Sequence, residues 1–177
     1  MTPIRQMLAE RPWGLARARA FAVEIGGNAK ELKALVGVLF GDDVELRKRA
    51  ADVARRITDK DVGGLRVYAD ELAGLLAELP VEESRTRWHM GLVVPRVAHT
   101  REQRLRAARL MLLLAEDESI VVRCSAMEGI ALLAVEEASL RGDAEEMIER
   151  FLWDGTAAMK CRARAAKRRL EKVGREA

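Results

Sequence analysis

The feature that most constrains the fold of this chain is a helical pattern that returns every 36 to 40 residues. Basic residues mark each copy at spacings of 40, 36 and 37, namely Arg47, Arg87, Arg123 and Lys160. Of the sixteen positions one before and three, six and ten after them, fourteen are apolar. The other two are Thr86 and Gly129. This spacing marks one face of an α-helix, so the chain contains four copies of one amphipathic helix.

Other amphipathic segments lie between these copies, at 32–40, 65–79, 105–115 and 147–152. The repeating unit is therefore a helix pair of about forty residues, and one such pair cannot bury its apolar face alone. Around Arg17 we predict a partial fifth copy with Ala16, Ala20 and Val23 on the apolar face.

The predicted fold is all-α, an α-α superhelix of about four to five stacked helix pairs in one domain over residues 1–177. The N-terminal cap is placed at about 1–27, and the repeats at about 28–60, 61–99, 100–140 and 141–175. Hydrophobic residues make up 49% of the 177, and aromatic residues only 4%. No segment alternates apolar and polar residues with the aromatic and β-branched content of a strand.

Short motifs predict where individual helices begin and where one is interrupted. Thr100 with Gln103, and Asp143 with Glu146, have the spacing of capping boxes, and Asp43 is a predicted N-cap. Pro95 falls inside a predicted helix, where it removes a backbone donor and is expected to kink or break the helix near Val93 and Val94.

The second helix of each pair, with acidic residues in the preceding turn, resembles the HEAT repeat of the armadillo-like class. In that family an Asp in the turn and an Arg six residues later form a ladder between repeats. Asp117 with Arg123 and Asp154 with Lys160 match this spacing, whereas the acidic residues in the earlier turns, Asp42 and Glu82, stand five positions before their basic partners. The resemblance covers about residues 12–173. It implies an α-solenoid whose second helices line the concave side.

No motif of a known catalytic site is present, so an enzyme, a cofactor and a metal site are not expected. His89 and His99 are ten positions apart, a poor spacing for a shared metal ion on one helix. The two cysteines, Cys124 and Cys161, are predicted to be small packing residues. So few cysteines suit a reducing compartment, and neither a signal peptide nor a membrane span is predicted, so we expect a cytoplasmic protein.

Two rows of side chains are predicted to face outward from the second helices. The first lies two residues after each marker and contains Arg49, His89, Ser125 and Arg162. The second lies nine residues after and contains Arg56, Arg96, Leu132 and Arg169. Stacking would align each row into a basic surface with an apolar or neutral gap in the third unit. The predicted partner-contacting residues are Arg49, Arg56, Arg85, Trp88, His89, Arg96, Leu132, Arg162 and Arg169.

The tryptophans have two interpretations. Trp13 and Trp153 stand at helix boundaries, where a structural role is favoured. Trp88 lies beside the core stripe, and core packing is favoured over stacking on a partner.

Two functions are compatible with this sequence. The first is a non-catalytic scaffold that holds a protein or peptide partner on the concave surface. A net charge of only +3 and the apolar or neutral gap in the third unit favour this function. The second is nucleic-acid binding, as in the HEAT-like DNA alkylation-repair proteins. Residues 155–177 carry eight bases and two acids, and the patch includes Arg162, Arg164, Arg168, Arg169 and Arg175. A HEAT protein that handles a tetrapyrrole is a weaker third interpretation, supported by the fold resemblance alone.

Overall fold

The computed structural model describes residues 3–176, and the side chains of residues 3–172. Within this range there are eleven α-helices and no strand. The helices are α1 Pro3–Ala9, α2 Leu15–Ile25, α3 Ala29–Leu39, α4 Val44–Thr58, α5 Gly63–Arg66, α6 Ala69–Glu78, α7 Ser84–Val97, α8 Arg101–Leu114, α9 Ile120–Glu136, α10 Arg141–Asp154 and α11 Ala157–Glu176. Short 3-10 turns at Val81–Glu83 and Ala138–Leu140 lead into α7 and α10.

Side-chain caps fix several helix starts. The Asp43 carboxylate accepts a hydrogen bond from the Leu46 amide, and Thr100 forms a full capping box with Gln103. Both predictions are confirmed. The second predicted capping box is wrong, because α10 begins at Arg141 and Asp143 already lies inside its first turn.

The helices pack as successive pairs. In the last four pairs, α3, α6, α8 and α10 pack against the second helices α4, α7, α9 and α11. Each second helix also packs against the next one, in the order α2, α4, α7, α9, α11. The all-α prediction is confirmed, and this packing is compatible with an α-solenoid.

The core follows the repeat. All sixteen positions of the four helical copies are buried, Thr86 and Gly129 included. They are Leu46, Ala50, Val53, Ile57, Thr86, Met90, Val93, Val97, Val122, Ala126, Gly129, Leu133, Met159, Ala163, Ala166 and Leu170. The repeat therefore identified the buried stripe of every second helix from α4 to α11.

The predicted fifth copy is wrong. Ala16, Ala20 and Val23 are all exposed. The buried residues of α2 are instead Ala18, Phe21, Ala22 and Ile25. Because α2 lies at one end of the stack, among the second helices only α4 covers it, and its buried stripe falls two residues out of the predicted register.

Glycine allows a close contact between the second helices α7 and α9. A Cβ atom on Gly129 would lie 2.8 Å from Pro95 Cγ and 3.1 Å from the Gly91 carbonyl oxygen. Of the predicted kink or break at Pro95, the break is wrong, since α7 continues to Val97. Gly91 lies four positions before Pro95, in the turn of the helix against which a proline ring packs.

None of the helices in residues 3–176 combines the length and apolarity that a membrane crossing requires.

Candidate partner-binding surface

Ion pairs connect consecutive helix pairs through their inter-helix turns. Arg47 on α4 pairs with Glu83, which precedes α7. Arg87 on α7 pairs with Asp117, which precedes α9, at 2.6 Å. Both carboxylates are buried. The acidic residue of one turn thus reaches back to the basic marker of the preceding pair, while Asp42 and Glu82 are exposed.

The predicted exposure of the first row is wrong for three of its four members. Arg49, His89 and Ser125 are buried, and only Arg162 on the last helix is exposed. The reason is the number of neighbours: an interior second helix contacts its own first helix and two other second helices, so its buried arc is wide. On α11 one of these neighbours is missing.

Arg49 ties the N-terminal segment to α4. Its Nη1 donates to the carbonyl oxygens of Leu8 at 2.8 Å and Glu10 at 3.2 Å, and its Nε donates to Glu45 at 3.0 Å. Its guanidinium carbon also lies 5.3 Å from the centre of the Trp13 ring. These contacts give this predicted partner-contacting residue a structural role.

The second row is half-buried at Arg56, Arg96 and Leu132 and exposed at Arg169. Arg96 reaches back to the end of α4, where it contacts Asp59 at 2.7 Å and the Arg55 carbonyl oxygen at 3.2 Å. Burial lowers the pKa of the Arg96 guanidinium, and Asp59 and Glu128 oppose that shift.

These contacts form a charge row across four second helices, made of Asp59, Arg96, Glu128 and Arg162. Glu128 lies 3.9 Å from Arg96 and 3.3 Å from Arg162. Arg56 is likewise paired, with Asp52 at 3.0 Å. The predicted basic surface is therefore largely neutralised by carboxylates that the sequence pattern did not associate with it.

His89 and Trp88 lie side by side on α7, with ring centroids 4.4 Å apart. Burial lowers the pKa of His89 to about 4, although the nearby Asp52 carboxylate raises it. The imidazole is therefore neutral at pH 7. Trp88 is half-buried and packs against the core, as favoured, and exposed Arg85 lies 5.8 Å from its ring.

The other two tryptophans differ from each other. Trp13 is half-buried and meets Phe21 edge-on at 6.3 Å. Trp153 is 87% exposed, so the favoured structural role is wrong for it.

A cleft of about 600 Å³, which the sequence pattern did not predict, lies between α2 and α4. We call it the N-terminal cleft. Ala22, Val23 and Ile57 give it apolar walls, and Val23 is 67% exposed. Arg19 and Lys60 also line it, and neither forms an ion pair with another described residue. The sequence could have indicated this cleft through Val23, an apolar residue on α2 between basic positions. The register of the predicted fifth copy instead placed Val23 in the core.

The cysteines and histidines show no convergent arrangement. Cys124 is half-buried, Cys161 is exposed, and both are free thiols. Burial raises the pKa of the Cys124 thiol. Among the residues that the structure describes, no group of three or more His, Cys, Asp or Glu could hold a metal ion.

No protein family and no curated protein matches this sequence. Among solved structures, the crystal structure of an engineered protein is similar over 98% of both chains, with 16% identity and a TM-score of 0.45.

Proposed function

We propose that this protein is a non-catalytic scaffold, a short HEAT-like superhelix that holds a protein or peptide partner. The N-terminal cleft carries the proposal. It combines an exposed valine, apolar walls and two basic side chains without an ion-pair partner at the end of the second-helix surface.

The chemistry of the cleft specifies the partner. A peptide side chain such as Leu or Phe would cover Val23 and Ile57, and burying apolar area is the main source of affinity in such contacts. Acidic residues on either side would face Arg19 and Lys60. Two carboxylates also line the cleft: Asp59 is already engaged by Arg55 and Arg96, whereas Asp61, which accepts a hydrogen bond from the Gly63 amide at 2.8 Å, offsets only part of the charge of Arg19 and Lys60.

Selection from a displayed random peptide library tests this function. Peptides that bind the purified protein are selected, and those that also bind the Val23→Asp variant are removed. The expected result is enrichment of one apolar residue flanked by Asp or Glu. The selected peptide, made synthetically, should lose about tenfold in affinity to Val23→Asp and several-fold to Lys60→Ala. Val67→Asp is the matched control, since Val67 is 74% exposed and lies outside the cleft.

Two outcomes of the peptide selection would contradict the proposed function. No enrichment, or a selected peptide that binds Val23→Asp as tightly as the parent protein, would refute the scaffold function at this cleft.

Nucleic-acid binding is the second candidate. One observation favours it: Arg164, Arg168 and Arg169 on α11 are exposed and form no ion pair with a described residue. The side chain of Arg175 lies outside the described residues. Three phosphate contacts predict a log–log salt slope of roughly −2 to −3. Fluorescence anisotropy with labelled single- and double-stranded DNA at about 50 and 200 mM salt measures it, and no binding at the lower salt removes this candidate.

A further inference from the structure

A second concavity lies between α4 and α7, beside the segment that leads into α2. We call it the Trp13 pocket. Its volume is about 250 Å³, and it is lined by Trp13, Lys48, Arg49, Asp52, Arg85 and His89. It is separate from the N-terminal cleft, because the two share no lining residue.

The pocket carries excess positive charge. The single carboxylate in its wall, Asp52, is already paired with Arg55 at 3.4 Å and Arg56 at 3.0 Å, both outside the pocket. Lys48 and Arg49 share one further carboxylate, that of Glu45. Arg85, the third cation, has no ion-pair partner among the described residues. Three cations against one available carboxylate leave two positive charges unmatched.

His89 adds a buried polar group without a partner. The residue is 6% exposed, and its Nδ1 has no hydrogen-bond partner among the described residues. Its Nε2 lies 3.9 Å from Asp52, beyond hydrogen-bond distance. Because Nδ1 is enclosed by the protein, Nε2 is the ring nitrogen that a ligand oxygen could reach, and a hydrogen bond there would satisfy it.

We propose that the Trp13 pocket binds a phosphate group. A phosphate monoester carries a charge of about −1.5 to −2 at pH 7 and three strong acceptor oxygens, which match the two unmatched charges. The planar guanidinium of Arg85 suits bidentate contact with such oxygens. The Trp13 indole supplies an apolar wall for an organic group attached to the phosphate. Free inorganic phosphate and a phosphorylated amino acid share this chemistry.

The test is a nitrogen–proton NMR titration of the indole resonances at constant ionic strength. The first probe is sodium phosphate, with sodium chloride as the ionic reference, and the second is O-phosphotyrosine. The Trp13 resonance, assigned by its loss in Trp13→Phe, should shift and saturate with phosphate but not with chloride. The resonance of Trp153 should not move.

Variants separate a specific site from general charge. Arg85→Gln should weaken phosphate binding about tenfold, and Arg85→Lys should recover part of that loss. Arg109→Gln is the matched control, because Arg109 is exposed on α8 and has no described ion-pair partner. Tighter binding of O-phosphotyrosine would identify a phosphorylated side chain as the ligand, and equal affinity would identify free phosphate.

Two results would overturn the proposal: a Trp13 shift that chloride reproduces, or equal losses in Arg85→Gln and Arg109→Gln. Neither depends on the peptide selection at the N-terminal cleft, so this inference stands or falls independently of the proposed function.

Discussion

The Arg96 guanidinium on α7 lies 2.7 Å from Asp59 at the end of α4, and the same group lies 3.9 Å from Glu128 on α9. One side chain therefore bridges three second helices. A residue expected to face a partner instead connects the helices that form the surface.

Replacement of Arg96 should destabilise the protein. Arg96→Met removes the ion pair between the half-buried Arg96 and the exposed Asp59, and also the hydrogen bonds to the Arg55 carbonyl and the Thr58 hydroxyl. We expect a loss of about 1–3 kcal/mol in the free energy of unfolding, measured by urea denaturation. Arg106→Met, which removes an exposed pair with Asp70, should cost about 0–1 kcal/mol. Equal losses in the two variants would contradict a structural role for Arg96.

The contact between α7 and α9 predicts opposite effects for two glycine substitutions. A Cβ on Gly129 would lie 2.5 Å from the Met111 sulfur and 2.8 Å from Pro95 Cγ, so Gly129→Ala should destabilise by about 1–3 kcal/mol. Gly74 is also inside a helix but has no atom within 4 Å of such a Cβ. Gly74→Ala should stabilise by about 0.5–1 kcal/mol, because alanine loses less backbone entropy on folding. Thermal and urea denaturation check both, and a neutral Gly129→Ala would show that the helices separate without cost.

Buried His89 predicts a loss of stability in mild acid. Its pKa is lowered from 6.5 to about 4 in the folded protein, so the unfolded chain binds the extra proton between these values. The contribution of His89 to stability is therefore greatest above pH 6.5 and falls as the pH decreases toward 4, by about 2–3 kcal/mol.

The comparison with His89→Gln isolates this effect from carboxylates that titrate in the same range. Urea denaturation at pH 7 and pH 5 should show a smaller decrease for His89→Gln than for the parent protein. His99→Gln, at an exposed position, should behave like the parent. Parallel pH dependence in all three proteins would rule out a role for His89.

We expect Arg49 to hold α1 against α4. Its bonds to the Leu8 and Glu10 carbonyls hold the end of α1 against α4. Arg49→Met should accelerate amide hydrogen exchange in residues 3–9 by about tenfold, while the core of α9 changes little. Exposed Arg66, on α5, is the matched position for a control substitution. Unchanged exchange in α1 would show that Ile4 and Leu8 alone retain it.

The repeat predicted the all-helical fold and the buried stripes well, because burial on an interior helix follows a period that is visible in one sequence. Met90, Val93 and Val97 needed no tertiary information to be placed in the core. At α2 the same reasoning gave the wrong register, since only neighbouring helices determine which side of an end helix is covered.

The candidate site was less predictable, because charge neutralisation depends on distances between helices. Arg96 and Glu128 are 32 positions apart in the sequence (128 minus 96), and nothing local associates them. The cleft at Val23 also arises from the separation of α2 and α4, which periodicity does not encode. Residue types at fixed spacing thus identified the surface-forming helices but not which of their charges remain free.

The buried pair of Arg47 and Glu83 has a consequence for synthesis on the ribosome. Arg47 is translated 36 residues before its carboxylate partner, and Arg87 likewise precedes Asp117. A nascent helix pair is therefore made with a cation whose counter-charge has not yet been synthesised. For the pairs α3–α4 and α6–α7, this buried ion pair forms only when the inter-helix turn of the following pair has been made, which gives their assembly a direction from the N-terminus toward the C-terminus.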